Sequence, residues 1–348
     1  MPGMPTGPRR ALRLALLEMK EVSKVFSKPQ GLLPFPGRSR QHRRFIEAVV
    51  SVDLEVDKGE AVGLAGESGA GKSTLAAMAA GLTRPSAGWV VIDSLDERGG
   101  RRQRLRRARQ VQLVWQDTRG SFDPRIKIGA AVGEPLRIHG IASGKSFDKK
   151  INLLLEEVGL ASSHRERYPH ELSGGQLQRA VIARALALNP GLLICDEPAS
   201  SLDATHKLQI SELLSRLRRN RGLALLVIAH DLALIRMLTQ KINVMYKGRI
   251  VESGPTEDVL ADPGHPYTKL LVRADPASPS WDMELFGDTV ALAAEVAPGG
   301  CIFAGGCPEL EDGCQKVEPK LISAGAGRRI ACLRKSTFPQ PEPRNELQ

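Results

Sequence analysis

Short, continuously apolar runs separated by helical patterns are the main feature of the middle of the chain. The runs at 61–65 (AVGLA), 191–197 (GLLICDE) and 224–230 (ALLVIAH) have the length and hydrophobicity of strands buried on both faces. Between the last two, apolar residues at 210, 213, 214 and 217 recur at helical spacing, which predicts an amphipathic helix. Strands that alternate with helices predict an α/β core with a mainly parallel sheet.

The pattern before the first buried run is different. Residues 18–27 and 45–57 alternate between apolar and polar side chains and are predicted to be strands, the second ending in a Lys-Gly turn. The segment 28–44 is rich in Pro, Gly and Arg and is predicted to be a loop or insertion. Residues 1–17 are predicted to form a flexible arm.

Two later segments interrupt the alternation of strands and helices. Residues 119–190 contain helical patterns without a convincing strand, which predicts a helical insertion. Residues 243–254 predict a hairpin that turns at Lys247-Gly248. Beyond residue 273 the sequence becomes rich in Pro, Ala and Gly, so we place a boundary there and predict a separate extension over 274–348.

Composition agrees with a folded α/β protein. The 348 residues are 42% hydrophobic and 25% charged, which excludes wholesale disorder. The net charge of +10 would permit nucleic acid or an anionic membrane surface as a partner. It is concentrated in residues 1–45 and in an arginine run at 98–109, so we predict that the run is a solvated face.

No segment of the sequence has the ~20 consecutive apolar residues that span a bilayer. The first residues loosely imitate a signal peptide, but Arg13 interrupts their apolar part and no cleavage site follows. We therefore expect a cytosolic protein, whose membrane-spanning partners would be other subunits.

A glycine-rich phosphate loop follows the run at 61–65. GESGAGKST (66–74) fits the pattern G-x-x-x-x-G-K-[ST], in which the glycines let backbone N–H groups face phosphate oxygens. Lys72 is expected to reach the β- and γ-phosphates, and the Ser73 hydroxyl to ligate Mg²⁺. The predicted ATP-binding residues of this loop are Gly66, Glu67, Ser68, Gly69, Ala70, Gly71, Lys72, Ser73 and Thr74.

Two carboxylates end the run at 191–197. Asp196 is placed to hold Mg²⁺, and Glu197 could accept a proton from an attacking water. A third motif, LSGGQ (172–176), opens a helix whose small residues and positive N-terminus suit another γ-phosphate contact. The residues predicted for that contact are Ser173, Gly174, Gly175 and Gln176.

Taken together, these motifs resemble the nucleotide-binding subunits of ABC transporters over roughly residues 18–335. More specifically, the chain resembles the ATP-binding subunits of the peptide/nickel importer branch, which includes the oligopeptide and dipeptide permeases. The sequences SFDPR (121–125) and GHPYTKLL (264–271) are markers of that branch. For the second marker we expect a turn and helix start with a structural role, with no chemistry at His265 or Tyr267.

The resemblance assigns further roles. Gln116, in VQLVWQD, matches the glutamine that touches Mg²⁺ and water and links the ATP site to the transmembrane partner. Asp203, with Ser201 and Leu202, matches the segment that crosses the dimer interface. His230 matches the histidine that contacts the γ-phosphate. Phe26 lies where the family places an aromatic that stacks on adenine; the alternative is a core aromatic in a first strand.

The resemblance also implies a fold and an activity. The fold is a P-loop (RecA-like) α/β core with an N-terminal antiparallel β subdomain and a helical insertion that carries LSGGQ. ATP and Mg²⁺ lie between the phosphate loop of one subunit and the LSGGQ of another. ATP hydrolysis powers import of peptides, or alternatively of nickel or a metal chelate, and Glu197, His230, Lys72 and Gln116 are its catalytic residues.

The partners implied are a second ATPase subunit, commonly a different but related chain, two transmembrane permease subunits and an external solute-binding protein. The chain would lie on the cytoplasmic face of the inner or plasma membrane as a peripheral subunit.

A soluble nucleic-acid-dependent ATPase is a competing function, supported by the arginine run. Because the sequence has one phosphate loop and no sustained heptads, we expect no nucleic acid partner.

Four of the five cysteines lie close together in the C-terminal extension. Cys301, Cys307, Cys314 and Cys332 are separated by gaps wider than those within the cysteine pairs of zinc ribbons. Four thiolates suit either zinc or a [4Fe–4S] cluster. The resemblance implies a cluster, since some members of the peptide branch with a similar cysteine-bearing tail carry [4Fe–4S]; zinc and free thiols are the alternatives. Cys195 is predicted to be a small buried hydrophobe.

Overall fold

The computed structural model describes residues 15–28, 44–96, 100–200, 202–275 and 299–335. The predicted arm up to residue 14, most of the predicted loop at 28–44, Ser201, and the extension at 276–298 and after residue 335 lie outside these ranges.

Twelve strands and nine helices form within the described residues. The strands are β1 (Leu17–Lys28), β2 (Arg44–Val56), β3 (Ala61–Ala65), β4 (Ala87–Ile92), β5 (Leu95–Asp96), β6 (Val111–Val114), β7 (Leu192–Asp196), β8 (Ala224–Ala229), β9 (Lys241–Tyr246), β10 (Arg249–Pro255), β11 (Ile322–Ser323) and β12 (Arg329–Ile330). The helices are α1 (Lys72–Ala79), α2 (Arg101–Gln110), α3 (Ile128–Ile138), α4 (Gly144–Glu157), α5 (Gly174–Leu186), α6 (Ala204–Arg221), α7 (Leu232–Leu238), α8 (Thr256–Ala261) and α9 (Pro266–Arg273).

The larger sheet contains eight strands in the order β11-β12-β10-β9-β3-β8-β7-β6. The five strands from β9 to β6 are parallel, and β10, β12 and β11 are antiparallel. Every residue of β3, β7 and β8 is buried. Along β7, Leu193 and Cys195 pack on one side of the sheet and Leu192 and Ile194 on the other. Both faces of the sheet are thus covered, which explains the continuous apolar runs and confirms the predicted α/β core.

The N-terminal strands form a separate antiparallel sheet in the order β2-β1-β4-β5. Met19 of β1 and Val90 and Ile92 of β4 share a core with Leu75 and Met78 of α1. This sheet confirms the predicted N-terminal subdomain. Strands β4 and β6 were not recognised in the sequence, because, unlike β3, β7 and β8, they are buried at only some positions and leave no continuous apolar run.

Helices fill the interval between β6 and β7. Residues 115–191 are all described and contain α3, α4, α5 and two short 3₁₀ turns, with no strand. Val132 of α3, Leu155 of α4 and Ile182 of α5 are buried together in one core. The helical insertion that carries LSGGQ is therefore confirmed.

Residues 101–109 of the arginine run lie in helix α2 and are largely exposed, as expected, whereas Arg98 lies outside the described residues. Arg107 is the exception, because it is buried at the end of α1. Its Nη2 atom donates to the carbonyl of Met78 at 3.3 Å and approaches that of Ala79 at 3.5 Å. The C-terminal carbonyls of a helix attract a cation, which explains why this one arginine turns inward.

Residues 299–335 of the predicted extension are connected to the main sheet. The predicted hairpin at 243–254 is confirmed as β9 and β10. Strand β12 pairs with β10 and β11 with β12, while the rest of 299–335 is mostly 3₁₀ turns and irregular backbone. The predicted boundary at residue 273 stays a prediction. None of the helices in the described residues is both long and apolar enough to cross a membrane.

Candidate functional site

The glycine-rich loop connects β3 to α1, as the motif requires. Gly66 and Gly71 have φ angles of 147° and 105°, where only glycine is comfortable. A Cβ atom on Gly66 would collide with the carbonyl oxygen of Met245, and one on Gly71 with that of Ala48. The loop therefore passes so close to neighbouring backbone that these two positions exclude any side chain.

The ammonium group of Lys72 lies inside the curl of this loop. Its Nζ atom donates to the carbonyl oxygens of Gly66 at 2.6 Å and Glu67 at 2.7 Å. Burial lowers the pKa of Lys72, although the negative charges of Glu197, Asp196 and Glu67 act in the opposite direction. A cation that is already desolvated and held by backbone carbonyls is suited to form a charge-assisted hydrogen bond to a phosphate group.

Asp196 lies beside the start of α1, at the C-terminal end of β7. Burial raises the pKa of its carboxyl group, and a hydrogen bond from the Ser73 hydroxyl partly opposes that shift. The hydroxyl and carboxylate oxygens are the hard ligands that Mg²⁺ takes, with waters and substrate phosphates completing its shell. The donor set at Ser73 and Asp196 therefore fits the predicted Mg²⁺ site.

Glu197 is held by residues from two neighbouring strand ends. The Nε2 atom of Gln116, which follows β6, donates to Oε2 of Glu197 at 2.8 Å. The Nδ1 atom of His230, which follows β8, lies 3.0 Å from Oε1. Glu197 is 16% exposed and His230 60% exposed, so the carboxylate lies inside and the imidazole faces the open side. Three residues predicted separately thus meet in one cluster.

The backbone of Glu197 adopts the left-handed conformation, with φ of 49°. This conformation costs a non-glycine residue ~1–2 kcal/mol. A hydrogen bond from its N–H to the carbonyl of Ile228 at 2.8 Å holds the residue in place. The turn directs the carboxylate toward Gln116 and His230, so the strain is located at the residue predicted to act as base.

LSGGQ begins helix α5. Ser173 is its N-cap: the hydroxyl accepts from the N–H of Gln176 at 3.3 Å, and Oε1 of Gln176 accepts from the N–H of Ser173 at 3.1 Å. Asp203 is the N-cap of α6: its carboxylate accepts from the N–H of His206 at 2.9 Å and also lies 2.8 Å from Nδ1 of His206. Because Gly175 approaches the His206 ring, the two motifs lie next to each other. Their predicted contacts with a second subunit stay predictions.

Phe26 lies near the end of β1, paired with Ile46 of β2. It is 43% exposed, and the ammonium of Lys24 lies 5.2 Å from its ring centroid. The alternative of a core aromatic is therefore wrong. An exposed ring is available for stacking, and the adenine contact stays a prediction.

The four cysteines of the extension line a single cavity. Its walls also include His265 and Phe303. Burial raises the pKa of the Cys301 thiol, and raises that of Cys307 to about 11. Within the described residues, no three His, Cys, Asp or Glu side chains are placed to hold one metal ion. Cys195 lies elsewhere, fully buried in β7 as predicted.

The sequence GHPYT, expected to be structural only, contacts the phosphate loop. The backbone N–H of Glu67 donates to the hydroxyl of Tyr267 at 3.0 Å. Burial lowers the pKa of the neighbouring His265 to about 4 and raises that of Tyr267. No local pattern in the sequence predicts this contact, because 200 residues separate Glu67 from Tyr267.

Two family models match the chain. The model described as ABC transporter matches residues 49–200, and the model described as oligopeptide/dipeptide transporter, C-terminal region, matches residues 251–314. The first match contains the phosphate loop, Gln116, LSGGQ, Asp196 and Glu197. The second contains the GHPYT sequence and three of the four clustered cysteines.

Individual relatives match most of the chain. A putative peptide import ATP-binding protein of Brucella abortus is 40% identical over 294 residues, covering 83% of this chain and 87% of that protein. The oligopeptide transport ATP-binding protein OppF of Salmonella typhimurium is 37% identical over 329 residues, covering 92% and 97%. An ATP-binding cassette solved as a dimer with ADP and phosphate is 27% identical, with a TM-score of 0.60 and coverage of 69% and 98%.

Proposed function

We propose that this chain, which belongs to the ABC transporter family of ATP-binding proteins, is the ATP-hydrolysing subunit of a peptide importer. The observation that carries the ATPase assignment is the Gln116–Glu197–His230 cluster beside the Lys72 loop. The peptide assignment is supported by the match of residues 251–314 to the C-terminal region of oligopeptide and dipeptide transporters. It is also supported by relatives whose names describe peptide import.

Each residue of the site has a separate role in the proposed ATP hydrolysis. The phosphate loop and Lys72 bind and orient the β- and γ-phosphates, and Lys72 stabilises the charge that develops there. Ser73, Asp196 and Gln116 would hold Mg²⁺, which supplies further positive charge to the phosphates. Glu197 accepts a proton from the attacking water, and His230 and Gln116 orient its carboxylate. Because phosphoryl transfer depends mainly on positioning, the pre-aligned cluster is the central requirement.

LSGGQ and Asp203 act on a second ATPase subunit in this proposal. Ser173 to Gln176 would contact the γ-phosphate of ATP bound to the partner's phosphate loop, and the partner's motif would complete this chain's site. ATP then favours the closed dimer through contacts that exist only in that state. The second subunit, two transmembrane permease subunits and an external solute-binding protein make up the proposed complex, with this chain on its cytoplasmic face.

The alternative functions differ from a peptide importer either in the solute transported or in the class of protein. Nickel or a metal chelate would change the cargo without changing this chain, since the transmembrane and binding proteins select it. A nucleic-acid-dependent ATPase lacks support, because the relatives described above are import subunits. The arginine run, its best argument, forms an exposed helix with one inward arginine.

Affinity purification of the chain from native membranes in mild detergent tests the importer. Recovery of two multi-spanning proteins and a second ATPase supports the proposal. Recovery from the soluble fraction with nucleic acid or ribosomal proteins contradicts it. Transport of labelled peptides by the reconstituted complex, compared with Ni²⁺, then tests the cargo.

For the extension we propose a [4Fe–4S] cluster bound by Cys301, Cys307, Cys314 and Cys332. The four thiols line one cavity, yet they do not surround a single ion. The proposal is supported by the number of thiols, since four thiolates are the ligand set that a [4Fe–4S] cluster takes, and zinc or free thiols are the alternatives. Burial of part of the cavity wall would shield the cluster from solvent.

Anaerobic purification followed by visible absorption, iron and acid-labile sulfide analysis tests the cluster. About four iron atoms per chain are expected, and Cys314→Ser should lose them while Cys195→Ser keeps them. A colourless protein with one zinc atom, or four titratable thiols without metal, would refute the cluster.

A further inference from the structure

One peptide unit joins the C-terminal part of the chain to the phosphate loop. The N–H of Glu67 donates to the Tyr267 hydroxyl at 3.0 Å, while the carbonyl of Gly66, in the same peptide, accepts from Lys72 at 2.6 Å. We infer that Tyr267 is a positioning residue for ATP binding, which rests on the proposed ATPase function. It holds the peptide whose opposite end orients the Lys72 ammonium.

Tyr267 is itself firmly held. It is 2% exposed, and its ring centroid lies 4.6 Å from that of Tyr246 and 5.6 Å from that of Phe303. Burial raises the pKa of its phenol, so the hydroxyl stays neutral at physiological pH. A neutral hydroxyl at a fixed position accepts the Glu67 N–H without adding a negative charge beside the phosphates.

The turn that carries Tyr267 is anchored by a buried carboxylate. Glu252 of β10 has no exposed surface and accepts from the N–H groups of Gly264 and His265, both at 2.9 Å. Arg328 of the extension pairs with the same carboxylate at 2.8 Å. The Nδ1 atom of His265 accepts from the N–H of Tyr267 at 3.0 Å and starts α9. The position of the hydroxyl is therefore set by β10 and by the extension.

This arrangement orders the first peptide of the loop before nucleotide arrives. A loop that is already in its bound conformation loses less entropy when ATP binds. When the Tyr267 hydroxyl is removed, the N–H of Glu67 can hydrogen-bond only to water. The Gly66–Glu67 peptide is then free to rotate. The loss of about one net hydrogen bond predicts roughly two- to tenfold weaker ATP binding. The rate constant kcat should change less, because Glu197 is positioned by Gln116 and His230.

The test compares Tyr267→Phe with Tyr246→Phe in the full-length chain. Both changes remove one hydroxyl from the same aromatic cluster, but only the first removes a bond to the loop. Calorimetric titration with MgATP and with MgADP gives Kd, steady-state hydrolysis gives KM and kcat, and thermal unfolding gives Tm. We expect Tyr267→Phe to raise Kd and KM two- to tenfold with kcat nearly unchanged and Tm lowered by at most a few degrees, and Tyr246→Phe to leave all four near the wild type.

The possible failures are distinguishable. ATP binding by Tyr267→Phe within twofold of the wild type would overturn the positioning role and leave the ATPase assignment intact. Equal losses in the two variants, accompanied by a lower Tm, would assign the effect to packing of the cluster and would also overturn it. A wild-type chain that binds no ATP would overturn both proposals.

Discussion

The Nδ1 atom of His230 lies 3.0 Å from Oε1 of Glu197, joining the ends of two adjacent parallel strands. Gln116, which follows the neighbouring strand β6, donates a hydrogen bond to the other carboxylate oxygen of Glu197. Each carboxylate oxygen has about two acceptor sites. Glu197 can therefore accept a hydrogen bond from water while both partners hold its orientation, as a general base must.

Glu197→Gln should bind MgATP with near-normal affinity but hydrolyse it roughly 10²–10⁴-fold more slowly, because an amide cannot take the proton. The measurements are equilibrium ATP binding and phosphate release. Glu212→Gln, the same substitution at an exposed position of α6, is the matched control and should turn over normally. Normal turnover by Glu197→Gln would contradict the assignment of the base.

His230→Ala should lower kcat by about 10²-fold, since it removes a polar group that orients the carboxylate and faces the open side of the site. Added to Glu197→Gln, the same change should have little further effect, because the two residues act as one unit. The double-mutant cycle in kcat checks this coupling. His170→Ala, on the exposed surface, is the control; additive losses would mean that His230 acts independently of Glu197.

Gly71→Ala should abolish ATP binding without unfolding the chain. The new Cβ atom would collide with the Ala48 carbonyl, and the φ angle of 105° is itself unfavourable for alanine. Gly100→Ala adds the same methyl group where no atom lies within 4 Å and should behave as the wild type. ATP binding by Gly71→Ala at normal affinity would show that the loop has a different conformation when it functions.

Glu252→Ala should destabilise the protein by about 3–5 kcal/mol, because it leaves Arg328 and two backbone N–H groups without their shared acceptor. A fall of several degrees in Tm would report this loss. Glu257→Ala removes a carboxylate that is 70% exposed and pairs with Arg236, so its effect should stay within about 0.5 kcal/mol. Equal Tm values for the two variants would contradict the anchoring role of Glu252.

Cys195 should resist alkylation in the folded protein. Complete burial raises the pKa of its thiol to about 12, so almost no reactive thiolate exists at pH 8. Iodoacetamide labelling followed by mass spectrometry should find Cys195 modified only after denaturation. Labelling under native conditions at the denatured rate would show that β7 opens readily.

The parts of the site that lie within one short segment were predictable from the sequence. The phosphate loop could be identified because its glycines, lysine and hydroxyl lie within nine consecutive residues, 66–74, that join a strand to the start of a helix. The buried strands β3, β7 and β8 were found for a similar reason, since coverage of both sheet faces leaves a continuous apolar run. The sequence also places Glu197 and His230 directly after two of these strands, whereas β6, which precedes Gln116, was not recognised.

Tertiary structure decided the contacts between distant segments. The pairing of Tyr267 with Glu67 depends on β10 and the extension packing beside the phosphate loop. The inward turn of Arg107 depends on where α1 ends relative to α2. The position of four cysteines around one cavity depends on the path of residues 299–335, which contain little regular structure. Periodicity and motif spacing indicate which side chains of a segment are buried. Which residue contacts another one 200 positions away follows only from the order of the strands and from how the loops pack on them.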